Sequence, residues 1–191
     1  WGEEETPDDS NALSRVIYRL RAALPEGAIV TVNRDTYQLD RAAMRVDADV
    51  EMFEQTLDAA AQDVSQRFSF LQKALDLYQG PFLGDANVPW CFDVRARLER
   101  RYRQALRQTA EQNETHGQYQ QALELFHQVL QRDSANIAAH TGAMRCYVIL
   151  GEPAQAIAQY RSLTDSLDEE LGLELDPESE AERIYRTLLA V

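Results

Sequence analysis

With 191 residues, 19 basic against 32 acidic side chains and a net charge of −13, the chain can bury roughly 70% of its unfolded surface without staples. It is too acidic for its body to lie along nucleic-acid phosphates, which Lys and Arg must neutralise. Cys91 and Cys146 are too few for a disulfide framework and fit a reduced, cytoplasmic setting; no apolar run approaches the ~20 residues that span a bilayer.

The acidic opening "WGEEETPDDS" is unlike a signal peptide. The charge is uneven: residues 1–46 carry −2 and residues 47–191 carry −11. "SNALSRVIYRLRAAL", Ser10 to Leu24, holds Arg15, Arg19 and Arg21 and no acid. Asp8, Asp9, Ser10 or Asn11 can cap a helix there, and Leu13, Ile17, Leu20 and Leu24 form its apolar face. At about 100° per residue, Asn11, Arg15, Tyr18 and Ala22 point the other way, with Ser14 and Arg19 on the shoulders. "PEG" (25–27) ends the helix. "AIVTVNRDTYQL" then predicts a hairpin with strands over 29–32 and 36–39 and a tip near 33–35.

From Val46 onward the pattern is helical. Helices are expected over 50–64 and 67–78, and "YQGPFLGDANVPW" then breaks the pattern with two glycines and two prolines. Its bulky residues Phe82, Leu83 and Trp90 are expected to plug the junction between this helical pair and the helices after it. A long helix over 89–115 turns Leu98, Tyr102, Ala105, Leu106 and Ala110 inward. Its stretch Arg95 to Arg107 carries six arginines against one acid. A solvated face with arginine stems covering apolar neighbours is the plain expectation; a docking surface for nucleic acid or an acidic partner is the sharper one.

The chain then repeats itself. Gly117, Ala122, Leu123, Phe126 and Val129 recur 34 residues later as Gly151, Ala156, Ile157, Tyr160 and Leu163, the tetratricopeptide period. Ala105 aligns likewise with Ala139 and Ala110 with Met144, while Pro153 suits a first helical turn. A last helix over 177–189 would cap the stack. The first helix of each unit in such a stack lines a concave groove, which places Gln104, Arg107, Glu111, Thr141, Arg145 and Val148 there. His116, His127 and His140 have no carboxylate or Cys at metal-ligand spacing, and no phosphate-cradling loop or nucleophile motif occurs. Neither enzyme, metal nor cofactor is expected.

"SRVIYRLRAAL" running into "IVTV" and "TYQL" resembles the second half of an OmpR-like winged-helix domain, as in the antibiotic-regulatory (SARP) activators. "VDADVEMFE", "ALDLYQGPFL", "PWCFDVRARLERRYRQAL", "HGQYQQALELFHQVLQRD" and "DEELGLELDPESEAERIYRTLL" resemble the bacterial transcriptional activator domain attached to those winged helices. The resemblance implies a mostly α fold, a tetratricopeptide-like helical repeat domain over 47–191 preceded by a partial winged helix over 1–40. A sheet and two further helices would belong ahead of Trp1, so residues 1–191 alone are expected to bind DNA with little specificity.

By the same resemblance Asn11, Ser14, Arg15, Tyr18 and Arg19 would reach base edges or phosphates, and Arg34, at the hairpin tip, the minor groove or backbone. The helical domain would contact RNA polymerase, another protein or a second copy, with no membrane involved. Arg15 and Val16 depart from the family's more apolar residue and His. Asn33, Arg34 and Asp35 replace its common wing glycine, and both departures bear on the DNA sequence preferred. The second reading is an interaction or oligomerisation scaffold of a signalling protein that binds no DNA.

Overall fold

The computed structural model describes residues 9–33, 36–43, 48–84 and 86–190, with residues 9–11 described by backbone alone. Contacts divide the chain into two compact units, Trp1–Ala48 and Asp49–Val191. Among the described residues no helix is long and apolar enough to cross a membrane.

In the first unit, helix α1 (Asp9–Ala23) precedes strands β1 (Ile29–Asn33) and β2 (Thr36–Leu39). The strands pair antiparallel, Ile29 opposite Leu39 and Thr31 opposite Tyr37, with a register shift before Asn33. The candidate caps Asp8 to Asn11 and the hairpin tip at Arg34 and Asp35 lie outside the described side chains. Leu13, Ile17 and Leu24 are half-buried, but Leu20 is exposed, contrary to expectation, and so are Val16, Val30 and Val32. Ala28 is the one fully buried side chain of this unit among the described residues.

The second unit stacks seven helices, counted among the described residues: α2 (Asp49–Gln62), α3 (Arg67–Leu77), α4 (Pro89–Thr115), α5 (Tyr119–Leu130), α6 (Ile137–Ile149), α7 (Pro153–Leu171) and α8 (Glu180–Leu189). Each packs on the next, and α8 closes the stack against both α6 and α7. Helix α2 stops short of the expected Val64 because the Asp63 carboxylate accepts from the amides of Ser65 (2.9 Å) and Gln66 (3.2 Å), an alternative to the helical ladder. Helix α8 starts at Glu180, not at Pro177. Asp176 accepts the Glu178 amide at 2.9 Å, holding Pro177 in a turn, and Ser179 caps the helix by accepting from Glu182 at 3.3 Å.

The inward residues of α4 are buried as the periodicity requires: Leu98, Tyr102, Ala105, Leu106 and Ala110. The repeat holds at most positions, although Ile157 and Tyr160 are half-buried where Leu123 and Phe126 are buried. Ala122, Phe126, Val129, Ala139, Met144, Ala156 and Leu163 are all at 0% exposure, and Gly117 and Gly151 take φ of +76° and +77° at equivalent turns, a conformation that disfavours side chains.

The plug before α4 is built differently from expectation. Phe82 packs against the main core, but Leu83 and Trp90 are 49% and 62% exposed. Cys91, at 0% exposure, takes the inward position at the start of α4. It shares a helical face with Val94, Leu98 and Tyr102, and Trp90 lies one residue out of phase with that face. Arg95 ties down the loop backbone instead, donating to the carbonyls of Phe82 and Ala86, each at 3.0 Å.

Helix α5 packs against α6 at Gly142, where a Cβ would lie 2.3 Å from Cζ of Phe126. Gly142→Ala should lower the unfolding free energy by about 1–3 kcal/mol through overpacking, although alanine is the better helix former by about 1 kcal/mol. Urea midpoints measure this. In a Phe126→Leu background, where the ring is gone, the same change should cost far less.

Candidate functional site

Helix α1 presents Arg15, Tyr18 and Arg19 to solvent, Tyr18 at 75% exposure. The spacings of four from Ser14 to Tyr18 and from Arg15 to Arg19 bring these residues to neighbouring rows of one helix surface. Ser14 is exposed as well. The side chains of Asn11 and Arg34 lie outside the described residues.

Arg21 does something that periodicity does not reveal. Its Nη2 donates to Thr31 Oγ1 at 2.7 Å and to the Ile29 carbonyl at 3.3 Å, and its guanidinium lies 5.8 Å from the centre of the Tyr37 ring. It joins α1 to both strands of the hairpin.

The expected groove is divided between two helices. On α4, Gln104 is exposed, while Arg107 pairs with Glu111 one turn on. On α6, Val148 is 41% exposed, but Thr141 is buried, its hydroxyl donating to the Ile137 carbonyl at 2.7 Å. Arg145 bridges Glu114 of α4 at 2.7 Å and Glu180 of α8 at 3.1 Å. The Glu114 hydrogen bonds hold its guanidinium charged well beyond the ordinary arginine range. Beside it lies an apolar cavity of about 490 Å³ lined by Val148, Ile149, Ile184 and Leu188, with Arg183 and Thr187.

The basic stretch of α4 is only in part a solvated face: Arg97 and Arg100 are exposed, but most of its arginines also bond within the chain. Arg97 reaches Glu54 at 3.4 Å, Arg101 pairs with Glu54 (3.3 Å) and Asp58, and Arg103 pairs with Asp133 at 2.8 Å. With Arg95 on the loop and Arg107 on Glu111, five of the six arginines bond within the chain; Arg100 has no such partner among the described residues. The acids that receive them could have been suspected from sequence, since Glu54 and Asp58 lie four apart on α2, the same spacing as Arg97 and Arg101 on α4.

Two titratable groups in the stack are held in one state. Burial pushes the Cys146 thiol up to about 11, so it stays protonated and packs as a small apolar side chain. His140, 2% exposed, places Nε2 at 2.7 Å from the Ser134 carbonyl and Nδ1 beside the Gln159 amide. A carbonyl only accepts, so Nε2 carries the proton and Nδ1 accepts from Gln159. Burial, with a smaller contribution from His127, holds its pKa below the ordinary 6.5.

Residues 48–189 match the profile of the bacterial transcriptional activator domain. No curated protein is a significant match to the sequence. Among solved structures, Mycobacterium tuberculosis EmbR, in complex with a low-affinity phosphopeptide, superimposes with a TM-score of 0.72 at 17% identity, over 100% of this chain and 52% of the other. The chain spans about half the length of that structure, and at this identity the likeness is one of fold.

Unfolded His140 takes up its proton near pH 6.5, whereas in the folded chain it resists protonation to lower pH. Its contribution to stability is therefore present above pH 6.5 and is lost as pH falls below it. Melting temperatures measured from pH 7.5 to 5.5 should fall in the native chain. In His140→Gln they should start lower and fall less.

Proposed function

The chain belongs to the bacterial transcriptional activator domain family, and from that premise we propose that it serves a transcriptional regulator by two surfaces, one for DNA and one for protein. Helix α1 is the DNA-reading element. Asn11, Ser14, Arg15, Tyr18 and Arg19 contact base edges and phosphates in the major groove, and Arg34 follows the minor groove or the backbone. The helical stack contacts a protein, either a second copy, a sensor domain or RNA polymerase. Its mechanism is positional and requires neither chemistry nor a cofactor.

One observation carries the reading. A strongly acidic chain keeps an outward face of Arg15, Tyr18 and Arg19 with no acid between Ser10 and Leu24, beside a hairpin held to the same helix. In the stack most arginines are instead drawn into internal pairs, Arg107 and Arg145 of the candidate partner groove among them, and Gln104 and Val148 are its exposed members. The apolar lining around Val148, Ile149, Ile184 and Leu188 suits apolar anchors from a partner protein.

Charge reversal tests the DNA half. Arg15→Glu and Arg19→Glu in the full-length protein should each lower promoter occupancy by about tenfold or more, since a phosphate or base contact is lost and a repulsive charge added. Unchanged occupancy in both would favour the scaffold reading without DNA.

A further inference from the structure

The three arginines of α1 do not share one role. Arg15 and Arg19 face solvent, whereas Arg21 reaches across to the hairpin, with Thr31 Oγ1 at 2.7 Å, the Ile29 carbonyl at 3.3 Å and the Tyr37 ring centre at 5.8 Å. Thr31 and Tyr37 are directly paired across β1 and β2. A single guanidinium therefore grips both strands at one register position.

We propose that Arg21 is a positioning residue that fixes the angle of the hairpin against α1 and contacts no phosphate itself. This role rests on the DNA-binding function proposed for α1. A two-stranded hairpin is marginal by itself in water, so a contact that grips both of its strands bears on how it lies against the helix. The turn at residues 24–28 is pinned by backbone bonds from Leu24 to Leu20 and from Ala28 to Pro25, but a turn fixes where the chain reverses, not how the hairpin lies.

Arginine suits the task where lysine does not. Its planar fork can donate along fixed directions while its face meets an aromatic ring, whereas an ammonium is a point charge with freely rotating donors. Positive charge alone is thus insufficient at position 21, and this separates a clamp from a phosphate contact. A phosphate contact is largely kept by lysine and lost with a fall of about one in the salt-dependence slope.

The test uses the full-length protein and a duplex enriched from a random-sequence pool by the wild type. Arg21→Lys and Thr31→Val should each weaken binding by about tenfold, the effect of losing a hydrogen bond to a charged group, with the slope against salt unchanged. Both should speed hydrogen exchange of the hairpin amides in the free protein, and the double variant should be little worse than either single one. Arg19→Ala should lower the salt slope by about one with hairpin exchange as in the wild type. Wild-type affinity in Arg21→Lys, or wild-type hairpin exchange in both variants, would overturn the clamp. Failure of the wild type to enrich any duplex would instead overturn the DNA reading, with hairpin exchange still deciding the clamp.

Discussion

The approach of α5 to α6 sets the geometry of the helical stack. Phe126 is wholly buried and its ring occupies the space where a side chain at position 142 would stand. Only glycine admits an aromatic ring so close to the backbone of a neighbouring helix. With that spacing fixed, α6 lies near enough to α4 and α8 for Arg145 to reach Glu114 and Glu180 together. Nearer the start of the stack, Arg101 joins α4 to Glu54 and Asp58 of α2. Pairs this exposed contribute only about 0–1 kcal/mol each. Their larger consequence is that helices α2, α4, α6 and α8 are laced together and their charges cancelled.

That cancellation reconciles a net charge of −13 with two basic stretches. The arginines of α4 meet carboxylates of α2 and of the turn after α5, so they lend the surface little positive potential. Residues 165–182, by contrast, hold nine acids and no base, and the stack as a whole repels a polyanion. Helix α1 differs because its arginines have no acids within the helix from Ser10 onward. Two of them stay outward and the third is taken by the hairpin. Charge segregation along the chain is thus the basis of the division of labour proposed for its two units.

Much of this is legible in the sequence, and the exceptions have physical causes. The 34-residue period places Gly117 and Gly151 at equivalent left-handed turns and Ala122 and Ala156 at equivalent buried sites, because periodicity reports helix packing directly. Bulk misleads at Trp90: the largest apolar residue of its segment invites a core position, yet helical phase gives the buried slot to Cys91. Pro177 has the chemistry of a helix start, but the Asp176 carboxylate keeps it in a turn. Arg21 and the α4 arginines other than Arg107 are placed in sequence by the face they occupy, whereas their partners lie 8 to 47 residues away. Apart from the matched four-residue spacing of Glu54 and Asp58 with Arg97 and Arg101, pairings of that kind leave no local signature. In the candidate partner groove, Thr141 is buried for the same reason: the helical wheel places a residue, but neighbouring helices decide whether its side chain reaches water.

The central claim is that nucleic acid meets the first unit and that the helical stack is kept for protein. Amide chemical-shift mapping of the isotope-labelled full-length protein, titrated with its enriched duplex, tests this most directly. The expected result is a set of perturbations centred on α1 and the hairpin, strongest around Arg15 to Arg19, with α2 to α8 unmoved. Perturbations centred on the arginines of α4 or on the α6–α8 groove would contradict it.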